Sequence, residues 1–65
     1  MQITVNGKSC SFEQNVTIQD LLGNLQLTGR FAIEVNKEII PRSLFSTHTL
    51  HAGDVVEIVR AIGGG

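Results

Sequence analysis

The hydrophobic and polar positions near the start of the chain alternate with a period of two. Ile3 and Val5 are separated by polar residues, which is typical of a half-buried strand. The Asn6-Gly7 pair follows, and both residues tolerate the positive φ angles that a type I′ hairpin turn requires. Cys10 and Phe12 then share one face of the returning stretch. The pattern predicts an N-terminal β-hairpin.

The next stretch has a helical period. Thr17 is placed to cap a helix, and Asp20 can reach back to complete a capping box. Val16 and Leu21 occupy the two positions of a hydrophobic staple. Gly23 costs about 1 kcal/mol relative to Ala inside a helix, and marks either a surface position or close packing on a sheet. The spacing i, i+3, i+4, i+7 predicts one apolar stripe made of Ile18, Leu21, Leu22 and Leu25.

Alternation returns in the second half of the chain. Residues 31–35 predict a strand, Asn36-Lys37 a turn, and residues 38–40 a short strand. Pro41 cannot donate to a ladder and therefore marks a sheet edge or an exit. Residues 41–50 predict an irregular segment with one short helical turn.

The last predicted strand, residues 55–62, is apolar on both faces apart from Glu57 and Arg60. Such a strand is expected at the centre of a sheet. The predicted elements follow the order strand, strand, helix, strand, short strand, strand, and the single helix can cover one face of a sheet. This order predicts an α+β fold of the β-grasp (ubiquitin-like) type. Its mixed sheet has four to five strands, with the first and last side by side and parallel.

One face of this predicted sheet packs on the helix and the other stays open. Val56 and Ile58 are expected to face the helix and Glu57 the solvent. Arg60 has the parity of Val56, so a break or bulge is expected near it. We expect a surface for a partner protein along the open face and the end of the strand, formed by Val55, Val59, Ala61 and Ile62.

Length and composition limit the function. The chain has 65 residues, 42% hydrophobic and 17% charged, with a formal net charge of −1, which suits one small globular domain. The five Lys and Arg residues are scattered along the sequence, so no nucleic-acid partner is expected. No signal peptide and no apolar run of about 18 residues is visible, so no membrane partner is expected. The lone Cys10 fits a reducing, cytoplasmic location.

Candidate catalytic and metal-binding groups are sparse. His48 and His51 have no cysteine and few acids nearby, and solvated loop histidines are the better interpretation than a metal site. Ser43 and Ser46 have no oriented base in view. Cys10 is expected to be buried and apolar rather than reactive. We therefore predict no catalytic residue and no metal ligand.

The stretch "RAIGGG" closes the sequence. A frayed terminus is the plain interpretation. Three glycines directly after an apolar central strand favour instead a domain over residues 1–62 and a flexible tail over residues 63–65. Such a tail could enter a narrow channel of another enzyme through Gly63 and Gly64 and present the Gly65 carboxylate as a nucleophile.

The stretches "VNKEIIPRS" and "LHAGDVVEIVRAI" and the final Gly-Gly resemble the ubiquitin-like sulfur carriers over the whole chain. The first stretch resembles most closely the branch that serves thiamin biosynthesis. Phe45 stands where that branch often carries Trp, and Gly63 lengthens the tail by one residue.

The resemblance implies a mechanism. An adenylyltransferase of the ThiF/MoeB type would use ATP and Mg to adenylate Gly65, while this chain itself binds no cofactor. Sulfur from a cysteine desulfurase or another donor would then convert Gly65 to a thiocarboxylate, which would supply a ThiG-like thiazole synthase. The chain would be a carrier and not an enzyme.

Three alternatives stay open at the level of sequence. The small subunit of molybdopterin synthase would share the fold and tail, a ubiquitin-like modifier would form isopeptide bonds with lysines, and a plain interaction domain would have an inert tail. The acceptor enzyme separates the thiamin function from the molybdopterin function.

Overall fold

The computed structural model describes residues 1–13, 15–27 and 29–60. The strands and helices appear in the predicted order. Their bounds are β1 Gln2–Val5, β2 Lys8–Ser11, α1 Ile18–Leu25, β3 Phe31–Val35, β4 Glu38–Ile40, a short 3-10 helix Arg42–Leu44, and β5 Val55–Arg60.

The five strands form one mixed sheet in the order β2-β1-β5-β3-β4. β5 lies at the centre, parallel to β1 and antiparallel to β3. The helix α1 packs on one face. The central position of the last strand and its parallel pairing with the first are therefore confirmed, and the arrangement is the predicted β-grasp.

The local signals for the hairpin and the helix start are also confirmed. Asn6 and Gly7 have φ angles of 50° and 81°, as a type I′ turn requires. The Asp20 N–H donates to Thr17 Oγ1 at 3.1 Å, and the Thr17 N–H donates to Asp20 Oδ2 at 3.1 Å, which completes the capping box. Local side-chain chemistry thus determines where this short helix begins.

The hydrophobic core lies between α1 and the covered face of the sheet. Ile18 and Leu21 of the predicted stripe are buried, whereas Leu22 is half-buried and Leu25 is 41% exposed. The predicted stripe was therefore too wide. The helix has only 8 residues and ends at Leu25, because the cap residue Gln26 adopts a left-handed φ of 55°. The core consists of Ile3, Val5, Ile18, Leu21, Ile33, Val35, Ile40, Phe45, Leu50 and Val56.

The covered face ends before β5 does. Val56 is fully buried and Ile58 half-buried, as their parity predicts, and Glu57 is exposed. Of the break or bulge expected near Arg60, the described part of β5 shows no bulge, because β3 and β5 stay in register from Val35↔Val56 to Phe31↔Arg60, but the pattern of buried positions does break there. Arg60 is exposed although it points to the helix side, because α1 is too short to cover this end of the strand.

The segment between β4 and β5 holds the start of the helix. The Ile18 N–H donates to the His48 carbonyl at 3.1 Å, and the Gln19 N–H donates to the Phe45 carbonyl at 3.0 Å. Leu50, which belongs to this segment, is fully buried in the core. These contacts fix the position of α1 on the sheet.

Candidate functional site

The central strand β5 carries the chain towards the predicted tail and is anchored on both sides. The Ile58 N–H donates to Asn6 Oδ1 at 2.8 Å, so the hairpin turn continues the contact to β5 after β1 has ended. On the other side the pairing with β3 reaches Arg60. β5 is therefore held on both edges, by the hairpin at Ile58 and by β3 as far as Arg60.

The predicted tail residues and their neighbours lie outside the described residues. This applies to Ala61 and Ile62, which were assigned to the partner surface, and to the three glycines Gly63, Gly64 and Gly65. Their roles stay predictions, as does the division into a domain over residues 1–62 and a tail over residues 63–65.

The open face of the sheet exposes apolar side chains where the sequence predicted them. Val55 is 44% exposed and Val59 is 51% exposed. Ile39, which the sequence analysis did not assign to this surface, is 68% exposed. It pairs with Glu34, which pairs in turn with Glu57, so it lies on the same face as Val55 and Val59. Strand parity was the signal that could have found it.

The same face carries two carboxylates directly opposite each other. Glu34 of β3 and Glu57 of β5 are partners in the ladder. Like charges in directly opposed positions disfavour the strand pair. The open face is therefore apolar at both ends of β5 and anionic in its middle.

Three of the five basic residues lie together in space although they are scattered along the sequence. Arg30 directly precedes β3, Arg42 follows β4 and Pro41, and Arg60 ends β5. The register places these three arginines at the same end of the sheet. Lys8 lies at the level of Val56, four residues before Arg60 along β5. The three arginines, far apart in sequence, thus form one basic group, which we name the basic rim: Arg30, Arg42 and Arg60.

An aromatic stack supports part of this rim. The rings of Phe31 and Phe45 stack with centroids 6.5 Å apart and planes 10° from parallel. The Arg42 guanidinium lies over the Phe31 ring, 5.4 Å from its centroid, within the range of a cation–π contact. Phe45 is buried, so the aromatic residue at this position anchors the end of the sheet.

A shallow groove of about 370 Å³ lies beside the rim, between the hairpin and the end of α1. It is lined by Lys8, Cys10, Leu25, Ile58 and other side chains. Cys10 is half-buried here rather than buried as expected, because Leu25 and the end of the helix leave this side of the sheet uncovered. Its Sγ lies 3.8 Å from the Lys8 carbonyl oxygen.

The remaining polar candidates are dispersed. His48 is half-buried and His51 is exposed, and the His51 backbone N–H donates to Asp54 Oδ2 at 2.8 Å. Ser43 and Ser46 are exposed. Within residues 1–13, 15–27 and 29–60, no three His, Cys, Asp or Glu side chains come together as a metal site. No helix in the same ranges is long and apolar enough to cross a membrane.

A five-stranded β-grasp sheet whose central strand leads into a glycine-rich stretch defines the class of ubiquitin-like carrier proteins. The ThiS family model matches residues 3–65, and the chain belongs to the ThiS family. The resemblance drawn from the sequence is thereby confirmed.

Similar proteins extend this result. The sulfur carrier protein ThiS of Bacillus subtilis is 42% identical, over 97% of this chain and 98% of its own length. The thiamine biosynthesis protein ThiS of Geobacter metallireducens has a crystal structure that matches with a TM-score of 0.86 at 32% identity, over 100% of both chains. A thiazole synthase of Paramagnetospirillum magneticum is 39% identical over 100% of this chain, which spans only 20% of that protein's length. These relatives confirm the predicted class of function, a sulfur carrier of thiamin biosynthesis.

Proposed function

We propose that this chain carries sulfur as a thiocarboxylate on Gly65 and delivers it to a thiazole synthase. The observation that carries the proposal is the placement of β5: the central strand of a ThiS-family domain, held on both edges, leads directly into the sequence "AIGGG". A rigid domain would then present a thin chain without side chains to the active sites of other enzymes.

The chemistry begins with activation. A carboxylate oxygen of Gly65 attacks the α-phosphorus of ATP in an adenylyltransferase of the ThiF/MoeB type, and pyrophosphate leaves. A hydrosulfide equivalent from a cysteine desulfurase or another donor then attacks the acyl carbon, and AMP leaves. ATP and Mg belong to the partner in this proposal.

The chain acts here as a cosubstrate and not as a catalyst. Its open face and tail are the parts that partner enzymes would contact, and no reaction step is assigned to its own side chains. The predicted cytoplasmic location stays a prediction.

A thiazole synthase as acceptor is supported by the relatives. Sequence similar to the whole of this chain occupies 20% of the length of the Paramagnetospirillum magneticum thiazole synthase and 20% of the Magnetococcus marinus thiazole synthase. Carrier-like and synthase sequence therefore occur within one polypeptide, which favours the thiamin acceptor over a molybdopterin acceptor.

Intact-mass spectrometry tests the proposal. The chain is incubated with the adenylyltransferase of its own organism, ATP, Mg and a sulfide source. We expect an AMP adduct without sulfide and, with sulfide, a gain equal to the exchange of one oxygen for one sulfur. Conjugation to lysines would indicate a modifier, and an unchanged mass would contradict the carrier function.

The acceptor is tested by reconstitution. The thiocarboxylate form is added to the thiazole synthase of the same organism, and thiazole formation is compared with that from the unmodified carboxylate form. Sulfur delivered only to a molybdopterin synthase would reject the thiazole assignment while leaving the carrier chemistry in place.

A further inference from the structure

The basic rim is the most asymmetric feature in the charge distribution. The chain has five Lys and Arg residues, and three of them, Arg30, Arg42 and Arg60, lie at the end of the sheet where β5 ends. Lys37 lies at the opposite end in the turn between β3 and β4, and Lys8 lies at the level of Val56 on the hairpin. All five side chains are exposed.

The carboxylates lie elsewhere. Glu38 and Asp54 adjoin the Asn36-Lys37 turn, where Asn36 Nδ2 donates to Asp54 Oδ1 at 3.1 Å. Glu13 follows β2 at the Met1 end of the sheet, and Asp20 caps α1. The remaining two acids are the Glu34–Glu57 pair in the middle of the open face. The near-neutral net charge of −1 therefore hides a strong separation of charge along the sheet.

We propose that the basic rim docks against an acidic surface around the cleft of the adenylyltransferase that receives the tail. This proposal rests on the proposed function. Arg60 directly precedes the tail, and Arg30 directly precedes the residue that pairs with Arg60. A protein that takes up the residues after Arg60 must approach the rim within about one Debye length, about 8 Å at physiological salt, where opposite charges attract strongly.

The rim acts mainly on the rate of association. Charged groups at the edge of an interface steer encounter and orient the partners, and their removal changes the association rate and its salt dependence more than the final contact. The cation–π contact with Phe31 restrains Arg42 before binding, which lowers the entropy lost on docking. The partner is oriented so that the tail enters first.

Charge reversal with a matched control tests the proposal. Arg30→Glu and Arg42→Glu change the rim, and Lys37→Glu makes the same change in net charge at the opposite end. Association with the adenylyltransferase is followed by stopped-flow fluorescence at low and high salt. We expect each rim variant to associate about tenfold more slowly at low salt and Lys37→Glu to change less than about twofold, with the differences vanishing at high salt.

The outcomes separate this proposal from competing explanations. Equal slowing by Lys37→Glu would show an effect of net charge alone and overturn the proposal, as would unchanged association of the rim variants. Inorganic phosphate titrated against the chain by NMR would overturn it if the rim residues bound phosphate tightly and specifically, because the rim would then be a site for a small anion. If wild-type chain gained no AMP adduct, the proposed function would fail; if it gained one while the rim variants associated normally, only this inference would fail.

Discussion

Val56 and Val59 are the same residue type on the same strand, three positions apart, and have opposite environments. Val56 is 0% exposed beneath α1, whereas Val59 is 51% exposed on the open face. The covered face stabilises the domain by removing apolar surface from water. The open face contributes little to that core, so its apolar side chains are available to a partner. The comparison separates residues that maintain the fold from residues that we propose as contacts for a partner enzyme.

The largest expected effect is a loss of stability when a side chain on the covered face is truncated. Leu21 is 1% exposed, and Leu21→Ala is expected to lower the free energy of unfolding by about 2–5 kcal/mol, because the cavity adds to the lost burial. Leu25 is 41% exposed on the same helix, and Leu25→Ala should cost less than about 1 kcal/mol. Urea unfolding followed by circular dichroism measures both.

A domain of this size has little stability to lose, so Leu21→Ala can unfold it altogether. Ile18→Val, at a side chain that is 0% exposed, is the milder test, with an expected cost of about 0.5–1.5 kcal/mol. Equal losses at Leu21 and Leu25 would show that the helix is not seated as described.

Changes in the C-terminal tail are expected to affect adenylation and not stability. Each buried core side chain in residues 1–13, 15–27 and 29–60 lies at or before Val56, so deletion of Gly65 should leave the melting temperature nearly unchanged. Adenylation should fall by at least about 100-fold, because a displacement of about 1 Å can already have that effect. Gly64→Val should behave alike by blocking a narrow channel.

Intact mass and thermal melting score each tail variant. Full adenylation after deletion of Gly65 would reject the tail as the site of modification. A large fall in melting temperature would instead make the glycines part of the folded domain.

A smaller effect is expected on the open face. Val59→Ser removes about half-exposed apolar surface without adding charge, and should weaken binding to the adenylyltransferase by about fivefold, or about 1 kcal/mol. Ser9→Ala is the control, because Ser9 is exposed on the same face, opposite Thr4 on the hairpin. Isothermal titration calorimetry measures both, and equal affinities for wild type and Val59→Ser would remove Val59 from the interface.

Much of the fold followed from local chemistry in the sequence. Asn6-Gly7 determined the hairpin turn, and Thr17 with Asp20 determined the helix start, because each signal involves residues only one to three positions apart. The central place of β5 followed from its apolar character on both faces. These features need no knowledge of the tertiary structure.

The sequence predictions were wrong where a feature depends on residues that are close in space but far apart in sequence. A helix of 8 residues is about 12 Å long, whereas the 6 residues of β5 extend about 20 Å, so periodicity alone could not show that Leu25 and Arg60 pass the end of the covered region. The basic rim was missed because its three arginines come from the ends of three separate strands. The sequence could predict the glycine tail and the open face as the candidate site. The clustering of charged residues beside the tail could be seen only from the strand register.

The smallest expected effect concerns two glycines with equal space and different backbones. A Cβ added at Gly23 or at Gly53 would meet no atom within 4 Å. Gly23 lies inside α1, where Ala is favoured over Gly by about 1 kcal/mol, so Gly23→Ala should stabilise the domain by about 0.5–1 kcal/mol. A gain in stability would support both the surface position of Gly23 and its place inside the helix.

Gly53 supplies the matched control. Its φ of +89° lies in the left-handed region, where an L side chain is strained, so Gly53→Ala should destabilise the domain by roughly 1 kcal/mol or more. The midpoints of urea unfolding of the two variants should therefore move in opposite directions. A loss of stability in Gly23→Ala would mean that the glycine contacts a neighbour in solution, and would return close packing on the sheet as its explanation.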